Sequence, residues 1–292
     1  MTAALDDLVR ILDLEAIEVN MFRGTSPDEK RQRIFGGQVA GQALVAAGRT
    51  VERDRYVHSL HAYFLRPGDP TVPILYEVDR IRDGRSFTTR RVVAIQHGRA
   101  IFNLSASFHI VEPSGMEHQS AMPEVVAPET LPTFKERMKP WAEKLGDWYH
   151  RPRPIDLRWI DPPVHANIAG RLPEQKVWFR ADGGLPDDPL LHACVVAYAS
   201  DMTLLDTVML PHRVTFDDAN LVGASLDQAM WFHRPFRADE WLLYDTDSPS
   251  ASAALGIARG KIFTSDGRLA VSVVQEGLLR LVPSTSGGAG AY

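Results

Sequence analysis

Tyr63-Phe64-Leu65-Arg66-Pro67 and the following Ile74-Leu75-Tyr76-Glu77-Val78-Asp79 return near the far end of the chain. There they read Trp231-Phe232-His233-Arg234-Pro235 and Leu242-Leu243-Tyr244-Asp245-Thr246-Asp247. The offset is a constant 168 residues with no gap. Phe, Arg, Pro, Leu, Tyr and Asp match outright, while Tyr/Trp, Ile/Leu and Glu/Asp match in kind. The period is far too long for a solenoid unit, so it marks the duplication of a whole domain. Two copies of one fold are expected side by side, and their differences are where chemistry is to be sought.

Outward from the first copy, residues 35–51 are small, apolar or amide and predict a buried helix opened by Gly36 and Gly37. Strand patterns follow at 57–65, 74–82, 86–96 and 99–110, the last two joined by the hairpin signal His97-Gly98. In the last strand Phe102, Leu104, Ala106 and Phe108 alternate with Asn103, Ser105, Ser107 and His109, giving one core face and one wet face. Upstream, Leu5, Leu8, Val9, Ile11 and Leu12 have the spacing of a short amphipathic helix, and 21–28 reads as a strand ending in a turn. In the second copy alternation starts at Ile155 and resumes over 176–181. Pro186-Asp187-Asp188-Pro189 is helix-start chemistry, and 190–205 predicts a second buried helix. Strands are then expected at 224–234, 241–246, 252–263 and 268–281. The proline-rich stretch 112–154 reads as a connector, with a surface helix over 134–148 interrupted at Pro140. The division is thus 1–111, 112–154 and 155–282, with a Ser/Gly/Ala tail at 283–292 expected to be disordered. Each copy is a long helix followed by four to five antiparallel strands, an α+β layer. A sheet wrapped round one helix is the hotdog arrangement, and two in tandem make a double hotdog.

Composition narrows the function. The 292 residues hold about two domains, and 45% hydrophobic with 24% charged residues is ordinary for a soluble globular chain. A net charge of −5 counts against a nucleic-acid partner. Cys194 is the only cysteine, so no intrachain disulfide forms. No apolar run reaches the roughly 18 residues of a membrane span, and the acidic start lacks the basic opening of a signal peptide. No membrane partner and a cytoplasmic location are therefore expected. The terminal Gly-Ala-Tyr differs from a Ser-Lys-Leu peroxisomal address.

Polar groups separate the copies. The first helix contains no Asp or Glu, whereas the second carries Asp201 inside an almost continuous apolar run, which requires a polar cleft or partners. An exposed stripe or a helix-end cap is the alternative for Asp201. In the last strand Gln275 shares a face with Val271 and Val273, where the first copy has Ala106 in an apolar row; a structural amide bonded to backbone is its alternative. Ser225 stands where the offset places Val57. Three polar substitutions in one copy point to one site.

At these residues the chain resembles the bacterial acyl-CoA thioesterase II family, the TesB type, which includes peroxisomal relatives. The resemblance runs over residues 5–281. It rests on Phe35-Gly-Gly-Gln-Val-Ala-Gly-Gln-Ala-Leu44, His58-Ser-Leu-His-Ala-Tyr-Phe-Leu-Arg-Pro-Gly68, Tyr198-Ala-Ser-Asp201, Met230-Trp-Phe-His-Arg-Pro-Phe236 and Val274-Gln-Glu-Gly277. It implies a double hotdog that hydrolyses fatty acyl-CoA with an Asp, a Thr or Ser, and a Gln around a water, roles falling on Asp201, Ser225 and Gln275. It also implies an acyl-CoA substrate and a homo-oligomer, a dimer or tetramer; no cofactor or metal is expected. Gly36 and Gly37 are the candidate oxyanion donors, since glycine lets substrate approach a helix N-terminus closely. The acyl chain is expected in a tunnel between the copies.

Other signals carry less. Gly223-Ala-Ser-Leu-Asp227 breaks the Gly-x-Ser-x-Gly elbow and precedes a strand, so Ser225 is not expected to be a nucleophile. His58 and His61 point to opposite faces of a strand and do not form a metal pair. Arg80, Arg82, Arg85, Arg90 and Arg91 read as a solvated sheet edge, with CoA phosphates as the alternative. Tyr63 and Trp231 read as core. An acyl-CoA hydratase would want a His beside Asp201, and a non-catalytic acyl-CoA sensor would need no basic Asp201.

Overall fold

The computed structural model describes residues 2–27, 32–112 and 115–283. The end of the 21–28 turn and nearly all of the expected disordered tail lie outside those residues.

The first half runs α1 (Ala3–Leu12), β1 (Glu15–Glu18), β2 (Met21–Gly24), α2 (Gly36–Gly48), β3 (Arg55–Phe64), β4 (Ile74–Asp83), β5 (Phe87–Gln96) and β6 (Arg99–Ile110). The 112–154 stretch contains the short helices α3 (Phe134–Met138), α4 (Ala142–Leu145) and α5 (Asp147–His150), with a 3-10 turn at Lys139–Trp141 where Pro140 denies an α-helix its N–H. The second half runs β7 (Ile155–Trp159), β8 (Glu174–Ala181), α6 (Pro189–Ser200), α7 (Asp206–Met209), β9 (Leu221–Ser225), β10 (Asp227–Phe232), β11 (Leu242–Ser252), β12 (Leu255–Thr264) and β13 (Leu269–Leu281). The chain adopts the double hotdog. All strands form one antiparallel sheet in the order β1-β2-β4-β5-β6-β3-β10-β13-β12-β11-β8-β7, with β9 also on β13.

The stretch that reveals the duplication also forms the seam. β3 and β10 pair Tyr63 with Asp227, Ala62 with Gln228, His61 with Ala229, Leu60 with Met230 and Ser59 with Trp231. Shifting every number by the repeat offset returns the same pairs with partners exchanged, and His61–Ala229 returns itself. A pseudo-two-fold axis therefore passes through that pair. Along the seam the offset puts Tyr63 and Trp231 on the outer face, where Tyr63 is 57% exposed and the Trp231 indole meets the His61 ring edge-on. They are surface rather than core, because the sheet buries only its helix-facing side.

α2 and α6 lie antiparallel in the core shared by both halves. Gly37 meets the Tyr198 carbonyl, Gly41 the Cys194 carbonyl and Gly48 the Leu190 side chain. The absent side chains let two backbones approach where Leu or Val would hold them apart. α6 starts as expected, with Asp188 accepting from the Leu190 N–H and Pro189 at the first helical position. It ends earlier than expected: Ser200 is its last residue, and turns follow to α7. The apolar run continues, but Asp201 is held by groups off the helix axis, and tertiary contacts override the 3.6-residue pattern.

The strand expected at 224–234 is also interrupted. Between the pairs Ser225↔Gly277 and Ala229↔Val274 the β9–β10 side carries one residue more than β13. The same irregularity occurs in the first half between Val57↔Phe108 and Ser59↔Ser107. The bulge belongs to the fold; what differs is that one copy turns Val57 at it and the other Ser225.

The basic run divides. Arg90 is 1% exposed: its guanidinium donates to Thr50 Oγ1, to the Thr50 carbonyl and to Asp83. Arg91 pairs with Asp79 at the surface. Parity in β5 accounts for the difference, since alternate residues face the helix. Arg90→Ala should lower unfolding free energy by about 2–4 kcal/mol through unpaired buried acceptors and a cavity. Arg91→Ala should stay within about 0.5 kcal/mol. Urea titration checks both, and equal values would contradict the burial argument.

Candidate active site

α2 begins without an ordinary cap. Phe35 occupies its N-cap position and offers no side-chain acceptor, and its first turn has no acidic residue. An acceptor arrives instead from the other half: the Gly37 N–H donates to Asp201 Oδ2 at 2.8 Å. The chain approaches so closely that a Cβ on Gly36 would lie 2.7 Å from the same oxygen. Asp201 follows the last residue of α6, so the antiparallel helices set its carboxylate at the positive end of α2.

Two further groups meet the other oxygen. Gln275 Nε2 donates to Asp201 Oδ1 at 2.6 Å and Ser225 Oγ donates to it at 3.2 Å. The three residues expected from the sequence are thus assembled around one carboxylate, from the end of α6, the bulge after β9 and the middle of β13. Gln275 is fully buried, and its Oε1 has no hydrogen-bond partner among the described residues. Asp201 and Ser225 keep part of their surface exposed, so the site opens on their side. Phe64 stands beside Gly36 at that edge.

Burial pushes the Asp201 carboxyl up to about 6, against the pull of the Gln275, Ser225 and Gly37 hydrogen bonds. Desolvation wins because burial disfavours the charged form by more than these three donors restore. At neutral pH the group is ionised yet basic enough to accept a proton.

The glycine expectation needs one correction. Gly37 was expected to offer a free N–H to substrate, but here it is engaged by Asp201. The sign of this was present in the sequence: a helix opening on Phe-Gly-Gly leaves orphan N–H groups that a residue elsewhere must satisfy. The Gly36 N–H meets no acceptor among the described residues. Asp201 is also not inside a helix, since it lies at the C-cap position; its side chain nevertheless faces the cleft rather than capping α6. The histidines are elsewhere: His192 Nδ1 accepts from the Ala238 N–H, and His58 bonds Ser107.

A comparison of the halves exposes the logic of the site. In β12 and β13 Ala258 pairs with Gln275; in β5 and β6 the corresponding pair is Arg90 with Ala106. At this pair each half buries a long polar side chain, on opposite members. Each donates to the residue just past its helix: Gln275 to Asp201, Arg90 to Thr50. One end pairs a neutral amide with an anion, the other a cation with a hydroxyl and with the exposed Asp83 carboxylate. Only the first sets a carboxylate against a helix start.

A family model described as acyl-CoA thioesterase matches residues 155–278, and one described as acyl-CoA thioesterase N-terminal domain matches 25–109. Acyl-coenzyme A thioesterase 8 of Mus musculus is 43% identical over 290 residues, spanning 94% of this chain and 89% of the relative. Acyl-CoA thioesterase 2 of Haemophilus influenzae is 39% identical over 287 residues, spanning 96% and 99%. The solved acyl-CoA thioesterase II TesB2 from Mycobacterium marinum is similar with a TM-score of 0.79 at 47% identity, covering 95% of this chain and 99% of that one.

Proposed function

The chain belongs to the acyl-CoA thioesterase family, and from that premise we propose that it hydrolyses fatty acyl-CoA with a water that Asp201 deprotonates. The observation carrying this reading is the convergence of Gly37, Ser225 and Gln275 on one carboxylate whose proton affinity is raised. A water held beside the carboxylate, inward of the open edge, is oriented by Ser225 and by the free Oε1 of Gln275. Asp201 takes its proton as the oxygen attacks the thioester carbonyl. The oxyanion forms against the start of α2, where the Gly36 N–H and the helix dipole favour negative charge. Collapse expels the CoA thiolate, which recovers the proton from Asp201, leaving a free fatty acid and CoA. Every step is carried by protein groups and one water. A hydratase would need a histidine at this carboxylate, and none stands there among the described residues. The family resemblance adds a dimer or tetramer to this reading, which light scattering measures.

Release of free CoA from decanoyl-CoA, followed with a thiol reagent, tests the activity. A sensor would release none. Since a base acts only when deprotonated, kcat/KM should rise as pH increases through about 6 and then level off. Ser225→Ala and Gln275→Ala should each lose about 10- to 100-fold in kcat. Gln275→Ala should also move the acid limb to higher pH, because its hydrogen bond is the largest influence pulling Asp201 down. A limb that stays in place would remove Gln275 from contact with the base.

A further inference from the structure

The 168-residue offset that sets Ser225 against Val57 also sets Gln228 against Leu60, so one more position is apolar in the first half and polar in the second. Both side chains face the helices: Leu60 is fully buried and Gln228 is 1% exposed. The Gln228 Nε2 donates to Ser200 Oγ at 2.7 Å and more weakly to Met230 Sδ at 3.6 Å. Its Oε1 is buried with no hydrogen-bond partner among the described residues. A half-satisfied amide in the core opposes stability, so its presence there calls for another reason.

Ser200, the partner of that amide, is the last residue of α6 and directly precedes Asp201. Its buried hydroxyl donates to the Ala197 carbonyl at 3.0 Å. In a helix that ran on, this carbonyl would accept the Asp201 N–H. Here the hydroxyl occupies it, the Asp201 N–H turns to the Ala199 carbonyl, and the last turn tightens. Accepting from Gln228 while donating to Ala197 selects one staggered position of the hydroxyl. From the other side the Tyr244 hydroxyl donates to the Ser200 carbonyl at 3.3 Å. Tyr76, its counterpart under the offset, bonds Gln42 in the middle of α2 instead of a helix end. Ser200 is therefore tied to β10 through its side chain and to β11 through its carbonyl.

We propose that Gln228 is a positioning residue: through Ser200 it fixes where α6 stops, and so aims the Asp201 carboxylate at Gly37, Ser225 and Gln275. Those three partners hold the carboxylate only once the backbone carrying it has been placed. The catalytic consequence rests on the reading of Asp201 as the base, whereas the placing of the helix end does not.

Gln228→Met keeps the length of the side chain and removes the amide. In the full chain it should lower kcat for decanoyl-CoA about 10-fold and hold KM within about two-fold, because the carboxylate is displaced and the substrate contacts are not. Tm should not fall, since a half-satisfied amide gives way to a group that suits its surroundings, and Gln228→Leu, carrying the first-half side chain, should behave alike. Ser200→Ala should lose about as much activity as Gln228→Met, and the double variant no more than either, because the two act as one unit. Amide exchange should quicken at residues 200–204 in each variant while the rest of α6 keeps its protection. Wild-type kcat in Gln228→Met, or losses that multiply in the double variant, overturns the proposal. A clear fall of Tm in both Gln228 variants also overturns it, by making the amide a structural group. If exchange quickens as expected while Asp201→Asn retains hydrolysis, Gln228 keeps its role at the helix end and the assignment of the base falls.

Discussion

Asp201→Asn should abolish CoA release to the extent of about 10³-fold or more while making the protein more stable at pH 8. The loss follows from removing the proton acceptor, worth on the order of 10²–10⁴-fold in general base catalysis. The gain follows from the sign of the shift. The folded carboxyl titrates near 6 against an ordinary value of 3.8, so the folded state holds its proton more tightly than the unfolded chain does. Stability is therefore lost as pH rises from about 4 to 6, and above that the full cost of the buried charge remains, about 3 kcal/mol. An amide escapes this cost. Its NH₂ can face Ser225 and the Oε1 of a flipped Gln275, and its oxygen keeps the Gly37 N–H. Some charge-assisted bonding is given up, so the net gain should be about 1–3 kcal/mol, or several degrees in Tm. The difference between variant and wild type should shrink toward pH 4. A variant no more stable than wild type at pH 8 would show that Asp201 is not held at a cost.

Gly37→Ala should be nearly as damaging to activity without any such compensation. A Cβ there would lie 2.4 Å from the Tyr198 carbonyl, which is backbone and cannot rotate away. α2 must then retreat from α6, and the Gly37 N–H leaves Asp201. We expect about 2–4 kcal/mol of destabilisation and at least about 10²-fold loss in kcat. Gly48→Ala is the matching control on the same helix face. The three atoms nearest its Cβ would all belong to the Leu190 side chain, which can swing aside, and it lies at the far end from the site. It should cost about 1 kcal/mol or less and leave kcat intact. Wild-type kcat in Gly37→Ala would mean that the helix start does not anchor the carboxylate.

Where sequence was informative, periodicity was carrying a packing constraint. The constant offset could identify the two halves because the strands it marks must pair across the seam, and an insertion in one would break the register. Parity in β13 placed Gln275 inward because a strand side chain has only two directions. The alternation in β5 turns Arg90 inward, yet in sequence it reads with the rest of the basic run as a solvated edge, since nothing local announces Thr50 and Asp83 as its partners. The end of α6 was hidden for a similar reason. Residues 202–205 are apolar or neutral and continue the pattern, while the groups that stop the helix come from α2, β9 and β13. Gly37 was assigned to the substrate because its actual partner lies 164 residues away in sequence. The bulge that aims Ser225 is a mismatch between strand lengths, invisible in either strand alone.

The reciprocal placement of Arg90 and Gln275 has a consequence for stoichiometry. Under the pseudo-two-fold axis through His61 and Ala229, the chain has two geometrically related helix ends. Here the Arg90 guanidinium fills one of them, bonded to Thr50 and paired with the Asp83 carboxylate, so the end is closed to substrate. Saturation with a tight, non-hydrolysable thioester analogue should therefore stop at one molecule per polypeptide, not two, whatever the number of chains in the assembly.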